Sequence, residues 1–411
     1  MKKLILYFAI FILFLCNQNG VLADPLTIDS VGDMGMHTSM TMVNGNPAIS
    51  YQDATDGDLK YIRASNASGT AWNPFITIDA GGSVGYYTSI TMVNGTPAIS
   101  YYDATNSALK YVRAVDASGT IWNFPVTIDA ANDVGHYTSL TVVNGNPAIS
   151  YYDTTNGQLR YVRASDTSGT AWNAPVIVDT TGGDVGRYTS LTIVNSNPAI
   201  SYFDDTNDDL KYVRASDING GAWNAPVTID SIGDVGYYTS MTIVNGNPAV
   251  SYYSVTGSAL KYVRASNPVG TAWNAPVTID LTGLVGMFTS MAIVNGNPAI
   301  SYFDNTNGGL KYIRASNPGG TAWNPSVIID STGVVGGYTS MTIVNGNPGI
   351  SYYDYTNADL KYVRAYDASG TSWINAASIP TLSEWGMIIM SVLLVLTAII
   401  HIRRQDNMKK C

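Results

Sequence analysis

A segment of about fifty residues recurs seven times along this chain of 411 residues. One copy, Tyr137 to Asp179, reads YTSLTVVNGNPAISYYDTTNGQLRYVRASDTSGTAWNAPVIVD. Its tryptophan keeps the register: Trp72, Trp122, Trp172, Trp223, Trp273, Trp323 and Trp373 follow one another at intervals of 50 or 51 residues. A proline keeps the same beat, from Pro47 to Pro348. A period of this length confines the fold to repeating units that cannot bury an apolar face alone and must stack on their neighbours.

Each unit reads as four short strands. In the third copy these are Ser139 to Val143, Pro147 to Tyr152, Leu159 to Ala164 and Pro175 to Asp179. All are rich in Val, Ile, Thr and Tyr, which suit a pleated surface. Asn144-Gly145-Asn146, Asp153 to Gly157 and Asp166 to Gly169 carry turn chemistry between them. No window outside the two chain ends shows sustained helical periodicity. Four antiparallel strands in a unit of this size predict the blade of a β-propeller. The seventh copy has three strands and its Trp373, and Ile374 to Ala377 carry no fourth. The missing piece stands at the other end, where Pro25 to Asp29 matches Pro125 to Asp129. The expected fold is therefore all-β: a seven-bladed propeller over residues 24–375, closed by its N-terminal strand. A seven-repeat solenoid is the rival, and the complementary half-blades argue against it.

The flanks differ in kind. Lys2-Lys3 precede an apolar run from Leu4 to Cys16, and small residues end the segment at Ala23, so residues 1–23 read as a secretory signal peptide. Residues 24–373 hold no cysteine, and their 6 Lys and 9 Arg stand against 28 Asp, a net charge of −13. Nucleic acid and anionic membrane surfaces are therefore poor partners for this region, and no nucleic acid is expected. Near the C-terminus, Trp385 and Gly386 lead into an apolar run, Met387 to Ile402, that ends at Arg403-Arg404. A helix over 385–402 just spans a bilayer, with its basic end in the cytoplasm. The octet Ile379-Pro380-Thr381-Leu382-Ser383-Glu384-Trp385-Gly386, followed by one helix and an Arg pair, resembles the IPTL-CTERM sorting tail. That family is similar to the PEP-CTERM tails of Gram-negative bacteria. The resemblance assigns residues 376–411 to a sorting tail. It implies an exosortase-type membrane protease as partner, removal of the helix, and delivery to the cell surface or envelope matrix.

Catalytic chemistry is hard to assemble from this composition. Glu384 is the only glutamate, and His37 and His136 are the only histidines of the repeats. Nearly every Asp and Arg recurs from blade to blade, and a seven-fold ring spreads like residues apart, whereas catalysis needs unlike residues in one place. The chain is not expected to be an enzyme. Ser165 to Trp172, SDTSGTAW, resembles the Asp-box of sialidase-type propellers, with one extra residue between Asp and Gly. The resemblance implies a hairpin in which Asp166 ties its own turn and Trp172 packs between blades. The catalytic set of that family, an Arg cluster with a Tyr/Glu pair, has no counterpart here, and a sialidase-like hydrolase stands as the alternative. The series Asp53, Asp103, Asp153, Asp204, Asp304 and Asp354 reads as turn formers, because Asp-x-Thr-Asn lacks the dense oxygen ligands of a calcium loop. No cofactor is expected, with calcium the one ion these loops could take. Lys60, Arg63 and their repeats read as strand-face charges in ion pairs.

Binding is the better-supported expectation. In the loop entering the first strand, the position after a constant Gly is Met36, Tyr86, His136, Arg187, Tyr237, Met287 and Gly337 in turn. Its neighbours hardly change. The next residue is nearly always aromatic and reads as packing. The variable series should ring the mouth of the central channel, where Tyr, His and Arg suit stacking on and hydrogen bonding to a sugar. A free loop position drifts for no functional reason too. The expected function is an exported, surface-sorted binding module for a surface glycan or a protein, with a ligand-free structural matrix protein as the further alternative.

Overall fold

The computed structural model describes residues 25–373, and no helix occurs among them. The signal peptide, the sorting motif and the expected helix over 385–402 lie outside the described residues. The described residues form 28 strands in seven four-stranded antiparallel sheets. The first strand, β1 (Leu26–Asp29), stands apart from the blade that follows it. That blade runs β2 (Met34–Val43), β3 (Asn46–Asp53), β4 (Asp58–Arg63) and β5 (Ile76–Asp79), paired in that order. Five more blades repeat it. The seventh has Val335–Val344, Asn347–Asp354 and Asp359–Arg364 from its own repeat, and its fourth strand is β1. Leu26 faces Tyr362 and Thr27 faces Lys361 across this closure. The expected closed propeller is what forms.

The core is not one centre but a series of slabs between blades. One slab joins Val93, Leu109 and Tyr111 of blade two to Leu140, Ile149 and Tyr151 of blade three. This is why β3 and its repeats are buried along nearly their whole length, polar residues included: they are covered on both faces. Trp172 packs edge-on against Tyr111 of the preceding blade at 5.1 Å, and its indole N–H donates to Gly169 O at 2.9 Å. Asp166 accepts from the backbone N–H groups of Ser168 and Ala171 at 2.8 and 2.7 Å. Both residues act as their Asp-box resemblance implies.

Buried polar groups also bridge the slabs. Tyr101 donates to Asp79 of the preceding blade at 2.6 Å, and Lys110 reaches both Asp79 (3.1 Å) and Asp103 of its own blade (2.7 Å). The Asp53 series thus forms the expected turns and adds buried ion pairs, such as Asp53–Lys60 at 2.6 Å. The arginine series behaves otherwise. Arg63 donates to the carbonyls of Val43 and Asn44 at 2.9 and 3.0 Å, and its repeats do the same, so these side chains cap the first hairpin instead of closing ion pairs.

The first strand of each blade is longer than its sequence suggests. The period-2 pattern of the third copy begins at Ser139, but the strand runs Val134–Val143. Its register shifts on both sides of His136, and Tyr137 sits at φ 53°, in the left-handed region. This bulge breaks the alternation that would have exposed the strand in the sequence. The same backbone recurs at His37, Tyr87, Tyr188, Tyr238, Phe288 and Tyr338, with φ between 51° and 54°. A non-glycine residue there costs about 1 kcal/mol, so surrounding contacts must hold it.

Those contacts stitch the ring together. Thr88 donates to the carbonyl of His37 in the preceding blade at 2.8 Å, and Ser39 accepts from the backbone N–H of Ile90 at 3.1 Å. The pair recurs at every junction, including Thr38 to Tyr338 O (3.0 Å) and Met40 N–H to Ser340 (2.9 Å), where blade seven meets blade one.

Deleting residues 25–29 leaves the strand Asp359–Arg364 with an open edge and removes the pairing of β1. A loss of several kcal/mol spread over a domain of this size lowers the melting temperature by roughly 5–10 °C. Scanning calorimetry checks this, and an unchanged midpoint would show that β1 does not hold the ring.

Candidate functional site

The left-handed bulge turns the constant aromatics toward the propeller axis. His37, Tyr87, Tyr137, Tyr188, Tyr238, Phe288 and Tyr338 form a closed ring, each neighbour 4.4–4.6 Å away between ring centroids. With the seven threonines that follow them, they line an axial cavity of about 170 Å³. The cavity wall therefore belongs to the nearly constant aromatic series, beyond the packing role its constancy suggests. The signal available was its near-invariance beside a constant Gly at a break in strand alternation.

Burial makes this wall electrically neutral. It pushes the Tyr87 and Tyr188 phenols well above their ordinary value, and a neighbouring Tyr137 hydroxyl adds to the effect. It pushes Tyr238 up to about 12. It pulls the His37 imidazole down to about 3, so His37 is an uncharged donor and acceptor among phenols.

The variable series lies in the strand itself, not in the loop before it: Met36, Tyr86, His136, Arg187, Tyr237 and Met287 are all residues of first strands. They form a second tier around the aromatic ring, and three of them rest on a ring of the preceding blade. His136 stacks on Tyr102 at 4.1 Å, Tyr237 stacks on Phe203 at 4.2 Å, and the Arg187 guanidinium lies 5.6 Å over the Tyr152 ring. Gly337 has no side chain to offer, and Tyr355 fills the place: a Cβ on Gly337 would lie 2.5 Å from the Tyr355 ring.

One sector of this tier is charged. Arg187 pairs with Asp184 at 2.7 Å and Asp205 at 3.0 Å, with all three side chains about a third exposed. Tyr152 donates to Asp184 at 2.5 Å. Burial raises the Asp205 carboxyl above its ordinary value, against the pull of Arg187 and with the push of Asp184 and Asp208. Burial likewise raises Asp234, with Asp208 adding to it. The opposite sector is neutral, with Met287, Leu284, Val334 and Gly337 at the corresponding places. Among the described residues, Asp53, Asp56 and Asp58 alone gather three carboxylates closely enough for a metal ion, and the Lys60 ammonium already occupies one side of Asp53.

The comparisons with known proteins follow this geometry. Residues 377–405 match the IPTL-CTERM motif. No curated protein matches the chain. Among solved structures, the polysaccharide lyase Uly1 is similar at 10% identity and a TM-score of 0.53, over 81% of this chain and 89% of that one. The Hadza microbial sialidase Hz136 is similar at 15% identity and a TM-score of 0.47, over 84% and 68%. The NanB sialidase from Streptococcus pneumoniae is similar at 13% identity and a TM-score of 0.45, over 84% and 70%. The likeness is one of fold. It corrects the expectation that the chain is not an enzyme, because a glycan-cleaving enzyme is built on this architecture. The physical reason is visible in the charged sector. A seven-fold ring keeps like residues apart, but each junction brings together unlike residues of two blades, here Tyr152 with Asp184, Arg187 and Asp205.

His37 gives the aromatic ring a pH dependence. The folded chain takes up this proton only near pH 3, whereas the unfolded chain takes it up near pH 6.5. The unfolded state thus binds more protons in between, and stability falls as pH drops below about 6.5. Between pH 7 and 5 the melting temperature of the wild type should fall further than that of His37→Tyr, the residue of most other blades. Parallel melting curves for the two proteins would refute the buried neutral imidazole.

Proposed function

We propose that this protein is an exported, surface-sorted propeller that binds carbohydrate on the axial face. The observation that carries the reading is the closed ring of phenol, phenyl and imidazole side chains around a cavity of about 170 Å³. Such a wall offers flat apolar surface for sugar C–H groups and neutral hydroxyls for their hydrogen bonds. The variable tier, with Tyr86, His136, Arg187 and Tyr237 on one side and Met36 and Met287 on the other, supplies selectivity around a constant cup. The fold of a polysaccharide lyase is consistent with a glycan ligand.

The sorting motif at 377–405 supports an exported, surface-sorted product. In this reading the signal peptide directs export and the helix over 385–402 holds the precursor in the membrane. An exosortase-type protease of a Gram-negative cell then removes the tail. A protein ligand on the same face is the other form of a binding role.

A second reading is sugar cleavage in the charged sector, favoured by the raised Asp205 carboxyl beside Arg187, Asp184 and Tyr152. A carboxyl raised by burial and by neighbouring carboxylates is the kind of group that serves as a general acid or base.

Glycan-array binding by the exported protein tests both. The expected result is specific binding that falls at least about tenfold in Arg187→Ala and in Tyr137→Ala, a loss of more than about 1.4 kcal/mol. Release of new reducing ends or unsaturated products from the bound glycan would add the cleaving role, and its loss in Asp205→Asn would place it. An array without any signal would remove the carbohydrate reading.

A further inference from the structure

Six blades place an aromatic ring where the second strand faces the variable position, from Tyr102 in blade two to Tyr353 in blade seven. Blade one places Gln52 there, opposite Met36. Gln52 is 1% exposed, and neither its amide nitrogen nor its amide oxygen has a hydrogen-bond partner among the described residues. An amide carries two N–H donors and a carbonyl acceptor, and leaving both ends unpaired inside a protein is strongly unfavourable. Where a tyrosine meets an acid the junction avoids this: Tyr102 donates to Asp133 at 2.6 Å, and Tyr353 donates to Asp33 at 2.7 Å. At the Gln52 junction the corresponding acid is replaced by Ser83, whose hydroxyl lies 3.1 Å from that of Tyr86. By the repeat, Tyr86 lies over Gln52 as His136 lies over Tyr102. The Tyr86 ring is also 5.6 Å from His37, the one ring member that is neither Tyr nor Phe and a wall residue of the axial cavity.

Blade one thus departs from the repeat at two neighbouring places, Gln52 and His37, and the junction gains uncharged donors and acceptors in both. We propose that the Gln52 amide is the docking point for a vicinal diol of a neutral sugar, on the side of the axial cup where blade one meets blade two. One hydroxyl donates to the amide oxygen and its neighbour accepts from the amide N–H. Tyr86 turns aside to admit the diol and covers the sugar's C–H face. The uncharged His37, Ser83 and Tyr86 make this a subsite for an uncharged ring, in contrast to the junction that holds Arg187 and its carboxylates. A site whose buried donor and acceptor are satisfied only by the ligand's hydroxyls rejects an analogue that lacks one of them. This inference rests on the carbohydrate reading of the axial face.

The test is calorimetric titration of the exported protein with a panel of neutral hexose trisaccharides and their monodeoxy derivatives, on the wild type and Gln52→Tyr. The variant carries the residue of other blades, so it keeps the fold, and its melting temperature should exceed that of the wild type. The expected result is that at least one neutral trisaccharide binds the wild type. Removing either hydroxyl of one diol, or introducing Gln52→Tyr, then weakens it at least about tenfold. Equal affinity of wild type and variant would mean that the amide holds a buried water only, which overturns the inference and leaves the carbohydrate reading in place. Binding of charged sugars alone would have the same consequence. Failure of every sugar, neutral or charged, would overturn both.

Discussion

The hydrogen bond from the threonine of one blade to the carbonyl of the bulged aromatic in the blade before it is the contact on which the rest depends. It fixes the innermost strands against one another, and it uses the carbonyl that the left-handed bulge presents to the next blade. Each such bond contributes about 1 kcal/mol net, close to what the strained backbone costs, so the bulge is held without a large surplus. Its repetition around the ring turns a marginal local geometry into a rigid one. The aromatic ring on the axis is the visible result, because the bulge is what aims those side chains inward.

The buried polar groups follow from the same arrangement. Blades that pack face to face leave the second and third strands without water, so their tyrosines, lysines and aspartates must find one another. They do so across the junctions, as Tyr101, Lys110, Asp79 and Asp103 show. Removing one partner from such a set would leave a buried charge uncompensated, which is far more unfavourable than the intact set is favourable. These residues therefore recur as a group, and their recurrence reports packing more than chemistry. Positions outside the group, such as Gln52, His37 and Arg187, are the places where the ring ceases to be uniform.

Architecture was legible in the sequence because it depends on spacing. The fifty-residue beat, the four strand patterns and the match of Pro25–Asp29 to Pro125–Asp129 all survive as geometry, down to β1 closing the last blade. The face of the propeller was only partly legible. Positions such as His136 and Arg187 stood out by variation, but a bulge at positive φ hid the strand that carries them and disguised the cavity wall beside them as packing. The role of the arginine series is not legible from its charge, which suggests an ionic partner, whereas Arg63 and its repeats spend their donors on hairpin carbonyls. Symmetry argues against catalysis, but it says nothing about the junctions, where residues of different type from adjacent repeats meet.

Closure by β1 has a consequence for how the ring comes to be. Every blade but the last can form from a contiguous stretch, so folding can begin at several points and spread between neighbours. The last blade waits for a strand made at the opposite end of the chain, some hundreds of residues away, and that late pairing is slow for entropic reasons. During the wait the strand Asp359–Arg364 presents a free edge, and β1 of a second chain carries the same complement to it. Crowded precursors can therefore exchange their first strands and link into open chains of propellers, a route that competes with closure in proportion to local concentration.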